Sequence, residues 1–225
     1  ARPLMAVPSF WPVDPLILPA FLLAMVLIEL TPGPNMGYLA LVSTARGRMA
    51  GLLTVVGITV GLSFYLAVSI YGLTGTPLAS PTVLWSLKWA GVGYMFWLAI
   101  EGVLPQRAAG PAVPIIPYAA GRQVLRGIIA NILNPKAALF YVVILPGFIH
   151  SGFASTWIQM MILGGTHILI SVAVHLSIVF GADGAAARLS TRSRRLLRWG
   201  LALGLAASAV WVAFSHGSPA GAIVP

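Results

Sequence analysis

The sequence predicts an all-α integral membrane protein of six transmembrane helices, arranged as two inverted three-helix repeats in which helices one and four are broken. Three observations carry this. Hydrophobic residues make up 59% of the 225-residue chain and charged ones only 8%, with a mean hydropathy of +0.94. A soluble domain carries about a quarter charged residues, so the bilayer is the solvent to reason with. Six stretches are each long enough to cross it, and the first and fourth are interrupted at matching places.

The first stretch runs from about Val13 to Ala45, interrupted by Thr31-Pro-Gly-Pro-Asn35. At 33 residues it would reach roughly 50 Å as a straight helix, against a hydrocarbon core of about 30 Å. A break resolves the excess. Pro32 and Pro34 lack an N–H and crowd the preceding turn. Gly33 permits unusual backbone angles, and Asn35 can serve freed backbone groups. The second stretch covers about Ala50 to Leu73, with Gly57 and Gly61 spaced for close helix packing, and the third covers about Thr82 to Val103. The fourth runs from about Arg126 to Ile149, interrupted where Asn131 and Asn134 precede Pro135. Asn134-Pro135 suits a cap followed by a first helical turn. The fifth covers about Thr156 to Ala182, and the sixth about Trp199 to Phe214, with Gly200 and Gly204 again at the packing spacing. Residues 1–225 form one transmembrane domain: a first repeat over 1–104, a cytoplasmic loop over 105–121 and a second repeat over 122–225.

Net charge is +9. Its distribution favours membrane orientation over nucleic-acid binding, for which no basic-aromatic groove is present. Arg46 and Arg48 follow the first span, Arg107, Arg122 and Arg126 the third, and Arg188, Arg192, Arg194, Arg195 and Arg198 the fifth. The N-terminus and the alternate loops hold only Arg2. The bias puts both termini outside the cytoplasmic (inner) membrane. Pro8, Pro12 and Pro15 argue against a cleaved signal peptide at the start. With no cysteine, disulfides, thiolate nucleophiles and Cys-based metal sites are excluded. No cofactor, metal or catalytic residue is expected; a homo-oligomer is left open.

Paired interrupted helices in an inverted repeat mark a binding site near the midplane. The half-helices beginning near Pro34 and Pro135 then turn their N-termini toward each other, with Lys136 beside one, as a seat for a carboxylate. Glu29 stands about half-way along the first span. A carboxylate there must pair or take up a proton. It has three readings: proton carrier, partner for a substrate ammonium, or structural ion pair with Lys136. Leu163, His167, Ser171 and His175 share one face of the fifth span. His167 fits a proton relay or a buried structural role equally. Glu101, Asp183 and Asp14 fall near helix ends and are expected to be solvated, and Trp85, Trp89, Trp97 and Trp157 to anchor or pack.

These residues resemble the lysine-exporter (LysE/RhtB) superfamily of amino-acid exporters. The resemblance rests on Thr31-Pro-Gly-Pro-Asn35, Gly47-Arg48 with Gly51, Gly57 and Gly61, Gly91 and Tyr94, and Asn131 with Leu133-Asn-Pro-Lys136. It covers about Glu29 to Ile149. It implies export of amino acids or derivatives with proton exchange. It also implies substrate-site roles for Pro32, Gly33, Pro34, Asn35, Asn131, Asn134, Pro135 and Lys136. Many members carry an acid after the second glycine of span two, where this chain has Leu62. Either proton coupling then falls to Glu29 with His167, or the coupling differs from that of the family. The expected function is a secondary transporter working by proton antiport and alternating access, with an amino acid or derivative, protons and the lipid bilayer as its partners. The alternatives are an intramembrane enzyme and a transporter or channel for another small solute.

Overall fold

The computed structural model describes residues 11–31, 33–71, 81–104 and 117–214. Pro32, Arg2, Arg107 and the connections over 72–80 and 105–116 lie outside the described residues.

All regular structure among the described residues is helical: α1 (Leu18–Leu30), α2 (Pro34–Arg46), α3 (Arg48–Ile70), α4 (Pro81–Val103), α5 (Pro117–Ile132), α6 (Pro135–Leu139), α7 (Thr156–Arg188) and α8 (Thr191–Phe214). After α6 the chain widens into a π turn over Phe140–Ile144 and tightens into a 3₁₀ turn over Leu145–Phe148. Helices α3, α7 and α8 are each long and apolar enough to cross a membrane. Two bent pairs bring the number to five: α1 with α2, bent by 50°, and 120–132 with 135–148, bent by 56°. α4, at 23 residues, coincides with the third stretch of the sequence. The protein is an all-α integral membrane protein, and its outward faces are oily: Leu23, Leu27, Leu203 and Trp211 are all exposed.

The two bends have local causes. α1 ends at Leu30, and Gly33, in extended backbone, precedes Pro34 at the first position of α2. A proline there gives up only an N–H that the helix leaves unused. At the second bend, Asn134 caps α6: its Oδ1 accepts from the Lys136 amide at 3.1 Å, and Pro135 opens the helix. Carbonyls freed by the irregular backbone find partners on α3, where the Tyr65 hydroxyl donates to Ile132 and Ser69 Oγ to Tyr141.

Helix α3 packs along α5, α4 along α8, and α2 and α3 both against α7. Glycine sets the first of these distances. A Cβ on Gly57 would strike the Val124 carbonyl oxygen and lie 2.8 Å from Gly127 Cα, and one on Gly61 would lie 2.7 Å from Asn131 Nδ2. A Cβ on Gly91 of α4 would strike the Leu133 carbonyl oxygen at the second bend. Gly200 and Gly204, of the same spacing, meet nothing within 4 Å, so on α8 the motif packs against no neighbour in the described chain. Buried side chains form two clusters, one with Phe21, Ile58, Tyr141 and Leu163, the other with Tyr38, Leu41, Leu98 and Leu205.

The structure differs from the sequence expectation in two further places. The basic segment that separates the fifth and sixth expected spans is mostly helix. α7 runs to Arg188 and α8 starts at Thr191, since Ser190 Oγ accepts from the Ser193 amide at 3.2 Å and starts the helix early. Glu101 is not a solvated acid. It receives Arg46 Nη2 at 3.0 Å and Arg126 Nη2 at 2.8 Å.

Candidate functional site

The bends meet. Lys136, from the second, reaches across to the first, where its Nζ donates to the Thr31 carbonyl at 3.1 Å; a Cβ on Gly33 would lie 3.8 Å from that Nζ. Behind this contact, Asn35 Nδ2 donates to Asn131 Oδ1 at 2.9 Å. Both asparagines are buried, and Asn35 Oδ1 and Asn131 Nδ2 are left without a partner among the described residues. Burying an amide atom without a hydrogen bond is unfavourable. Asn35 Oδ1 can accept and Asn131 Nδ2 can donate, so the pair can serve a group that carries both a donor and an acceptor.

These groups line a cavity of about 30 Å³. Glu29, Gly33, Asn35, Asn131, Asn134, Lys136 and His167 all contribute to its wall, joined by Met36, Leu62, Phe140, Ser171 and His175. Pro34 and Pro135 set the backbone beside it rather than lining it. Leu62, where the family resemblance leads one to expect an acid, is buried in the same wall.

The two helix starts at the site are unequal. In α2 the Gly37 amide bonds to the Gly33 carbonyl, and the amides of Asn35 and Met36 precede the helical ladder. In α6 the capping asparagine uses up the first turn, because Asn134 accepts from Lys136 through its side chain and from Ala137 and Ala138 through its carbonyl. The positive end open to an anion is therefore that of α2, with the Lys136 ammonium beside it.

Glu29 is buried, and its hydrogen bond is to His167, not to Lys136. His167 Nε2 lies 3.2 Å from Glu29 Oε1, and His175 Nε2 lies 3.9 Å from Glu29 Oε2. The other ring nitrogen of His167 lies 3.0 Å from the Tyr141 hydroxyl, which is also 3.5 Å from the Gly164 carbonyl. Phe140 covers the imidazole at 4.0 Å between ring centres. His175 Nδ1 contacts Ser171 Oγ at 3.3 Å.

This arrangement satisfies two protonation states. With Glu29 ionised, His167 donates from Nε2 to the carboxylate and accepts at Nδ1 from Tyr141. With Glu29 protonated, the carboxyl donates to Nε2, Nδ1–H donates to the Tyr141 oxygen, and the Tyr141 proton turns to Gly164. A proton can thus be taken up at Glu29 without stranding a buried donor.

A polar network closes one end of the molecule. Arg46 donates to Glu101 and, through Nη1, to Gln123 Oε1 at 3.1 Å; Gln123 Nε2 donates to Thr54 at 2.7 Å and to the Tyr38 hydroxyl at 3.2 Å. The Arg126 guanidinium lies over the Trp97 ring at 5.3 Å. Two small voids lie between, the first sharing Asn35 with the wall of the site and both sharing Tyr38. The first is lined by Asn35, Tyr38, Tyr94 and Leu98, and the second by Tyr38, Leu98, Arg46, Glu101 and Arg126. Sequence reasoning missed Glu101, Gln123 and Tyr141. A single polar residue in an apolar span gives no periodic signal, and these pairings connect residues 26 to 85 positions apart.

At the opposite end, Asp14 Oδ2 and His150 Nδ1 lie 2.9 Å apart, and the Leu16 amide donates to Asp14 Oδ1 at 2.9 Å. The hydrogen bond from His150, then that from Leu16, holds the Asp14 carboxyl below its usual range.

Comparison with known proteins gives a consistent picture. The model of the family described as LysE type translocator matches residues 26–215. An uncharacterized membrane protein of Pseudomonas aeruginosa is 26% identical over 202 residues, 85% of this chain and 88% of that protein. A homoserine/homoserine lactone efflux protein of Salmonella typhimurium is 31% identical over 160 residues, covering 69% of this chain and 75% of the relative. A threonine efflux protein of the same organism is 29% identical over 148 residues, covering 61% and 70%. No solved structure matches the chain.

Proposed function

Since the chain belongs to the LysE type translocator family, we propose that it exports amino acids or close derivatives across the cytoplasmic membrane, in exchange for protons and by alternating access. The relatives named for homoserine and threonine efflux support the substrate class. The observation that carries the reading is the convergence of Glu29, His167, Asn35, Asn131 and Lys136 on one buried cavity at the meeting of two bent helices. Ionisable groups at such depth are unfavourable unless they serve a partner.

The substrate carboxylate is received by the Lys136 ammonium and the Asn35 and Met36 amides at the start of α2. The substrate ammonium goes to Glu29, and the unpartnered atoms of Asn35 and Asn131 complete the polar contacts. Protonation of Glu29 from the outside removes the charge that holds the ammonium and releases the substrate; the His167–Tyr141 pair follows by tautomer exchange. The proton leaves to the cytoplasm before the next substrate binds. Substrate and proton thus compete for one carboxylate, which is the minimum requirement of antiport.

A cavity of about 30 Å³ holds a water or two, not an amino acid, so the site must widen before it receives a substrate. Opening to the cytoplasm follows the two voids beside Tyr38 and parts the Arg46–Glu101–Arg126 network. That orientation rests on the arginine bias, and six spans in two inverted repeats remain part of the same proposal. Efflux of a labelled amino-acid panel from proteoliposomes, with and without an imposed pH gradient, tests it. Saturable, gradient-driven flux of at least one member is expected; no flux of any member from folded, inserted protein rejects it.

A further inference from the structure

A second, larger cavity of about 240 Å³ lies between the two bends and α8. It shares Gly33, Asn134 and Lys136 with the polar cavity, so the two are adjoining chambers with Lys136 in the common wall. Its remaining surface is mostly hydrocarbon and aromatic: Ile28, Leu139, Phe140, Ile144, Trp211 and Val212. Two hydroxyls also line it, and both donate to their own helices, Thr31 to the Leu27 carbonyl at 2.7 Å and Ser208 to the Gly204 carbonyl at 2.9 Å. Lys136 is the one charged residue among the described residues that line it.

From this pairing we infer that the transported substrate is a neutral amino acid with a bulky apolar side chain, its charged end in the polar chamber and its side chain in the chamber under α8. This inference rests on the exporter reading and names its substrate class. Size permits it: an apolar cavity of about 150 Å³ accepts benzene, so 240 Å³ accommodates a branched alkyl or an aryl group. Charge excludes the alternatives. A basic side chain would bring a second ammonium toward Lys136 with no acid to receive it. An acidic one would compete with the substrate's own carboxylate for the same lysine. Small hydroxylated side chains would leave most of the chamber empty, and the chamber's own hydroxyl protons are already engaged.

The test is counterflow in proteoliposomes with labelled leucine, phenylalanine, alanine, threonine and lysine, for the wild type and for Leu139→Trp, which places an indole at the half-open mouth of the chamber. Leucine or phenylalanine should exceed alanine and lysine by about tenfold or more in flux at limiting concentration. In Leu139→Trp the leucine-to-alanine ratio should fall by a similar factor. Ile144→Phe, filling the same chamber from another wall, serves if Leu139→Trp does not fold. A preference for lysine or threonine overturns the inference and leaves the exporter standing. Equal loss of all substrates in the filled variants also overturns it, marking the chamber as a lipid seat. Absence of flux for every amino acid in the wild type rejects the exporter reading itself.

Discussion

Lys136 Nζ donates to the Thr31 carbonyl at 3.1 Å, joining residues 105 positions apart and tying one helix break to the other. Thr31 is the last residue described before the Pro-Gly-Pro segment, and Lys136 sits in the first turn after Asn134-Pro135. The bond places a cation where two polar interruptions meet, and leaves Glu29 to the histidines of α7. The Lys136 ammonium and the Glu29 carboxylate thus line one cavity without sharing a hydrogen bond, and a zwitterion carries the two complementary charges.

Glu29→Gln should fold, because an amide can replace the carboxyl in contact with His167. It should abolish flux driven by a pH gradient, while any residual exchange loses its pH dependence. Flux in proteoliposomes measured with and without an imposed pH gradient checks this; unaltered gradient-driven flux would remove Glu29 from the coupling step.

Glu101→Gln should loosen this end, because the amide can still accept but no longer neutralises Arg46 and Arg126, which then repel one another. The chain has no cysteine, so a single cysteine placed at Tyr38 reports access without background. Its labelling by an impermeant thiol reagent from the cytoplasmic side should rise several-fold when Glu101→Gln is added. Equal labelling in both backgrounds would show that the network does not gate this route.

Gly57→Ala should destabilise the protein by about 1–3 kcal/mol or more, because the added methyl must displace the α5 backbone. Gly204→Ala, where none of the described residues lies within 4 Å, should be neutral or slightly stabilising through helix propensity. Thermal unfolding in detergent of the two single variants checks the contrast; similar behaviour would contradict the assigned α3–α5 contact.

Asp14→Asn probes the tether between the start of α1 and the segment before α7. The folded protein holds this carboxyl below its ordinary value of 3.8, so the stabilisation is present above that value and lost as pH falls through the lower folded one. The difference in melting temperature between wild type and Asp14→Asn should therefore be constant down to about pH 5 and shrink below about pH 4. A difference that grows on acidification would reverse the sign and exclude the assignment.

Much of the fold was legible because its signals are local. Proline at 34 and 135 stops a helix by lacking an N–H, and Asn134 caps the next one, so both bends could be placed from the sequence. The stripe of His167, Ser171 and His175 follows from helical period alone. The unequal helix starts were not legible: whether the Asn134 carbonyl and side chain satisfy α6 depends on its exact backbone path. The pairing of Glu29 with His167 rather than Lys136 was not legible, because side-chain reach across helices is a tertiary fact. The early start of α8 was missed because a run of arginines resembles a loop by charge, although arginine is a good helix former.

The most direct test of proton exchange is to follow the pH inside proteoliposomes with an entrapped dye while a transported amino acid is added to one side without any imposed gradient. Proton antiport predicts that the amino acid drives a saturable pH change of opposite direction to its own flux, absent in Glu29→Gln. Amino-acid movement with no pH change, or with the same change in the Glu29→Gln variant, would contradict the account.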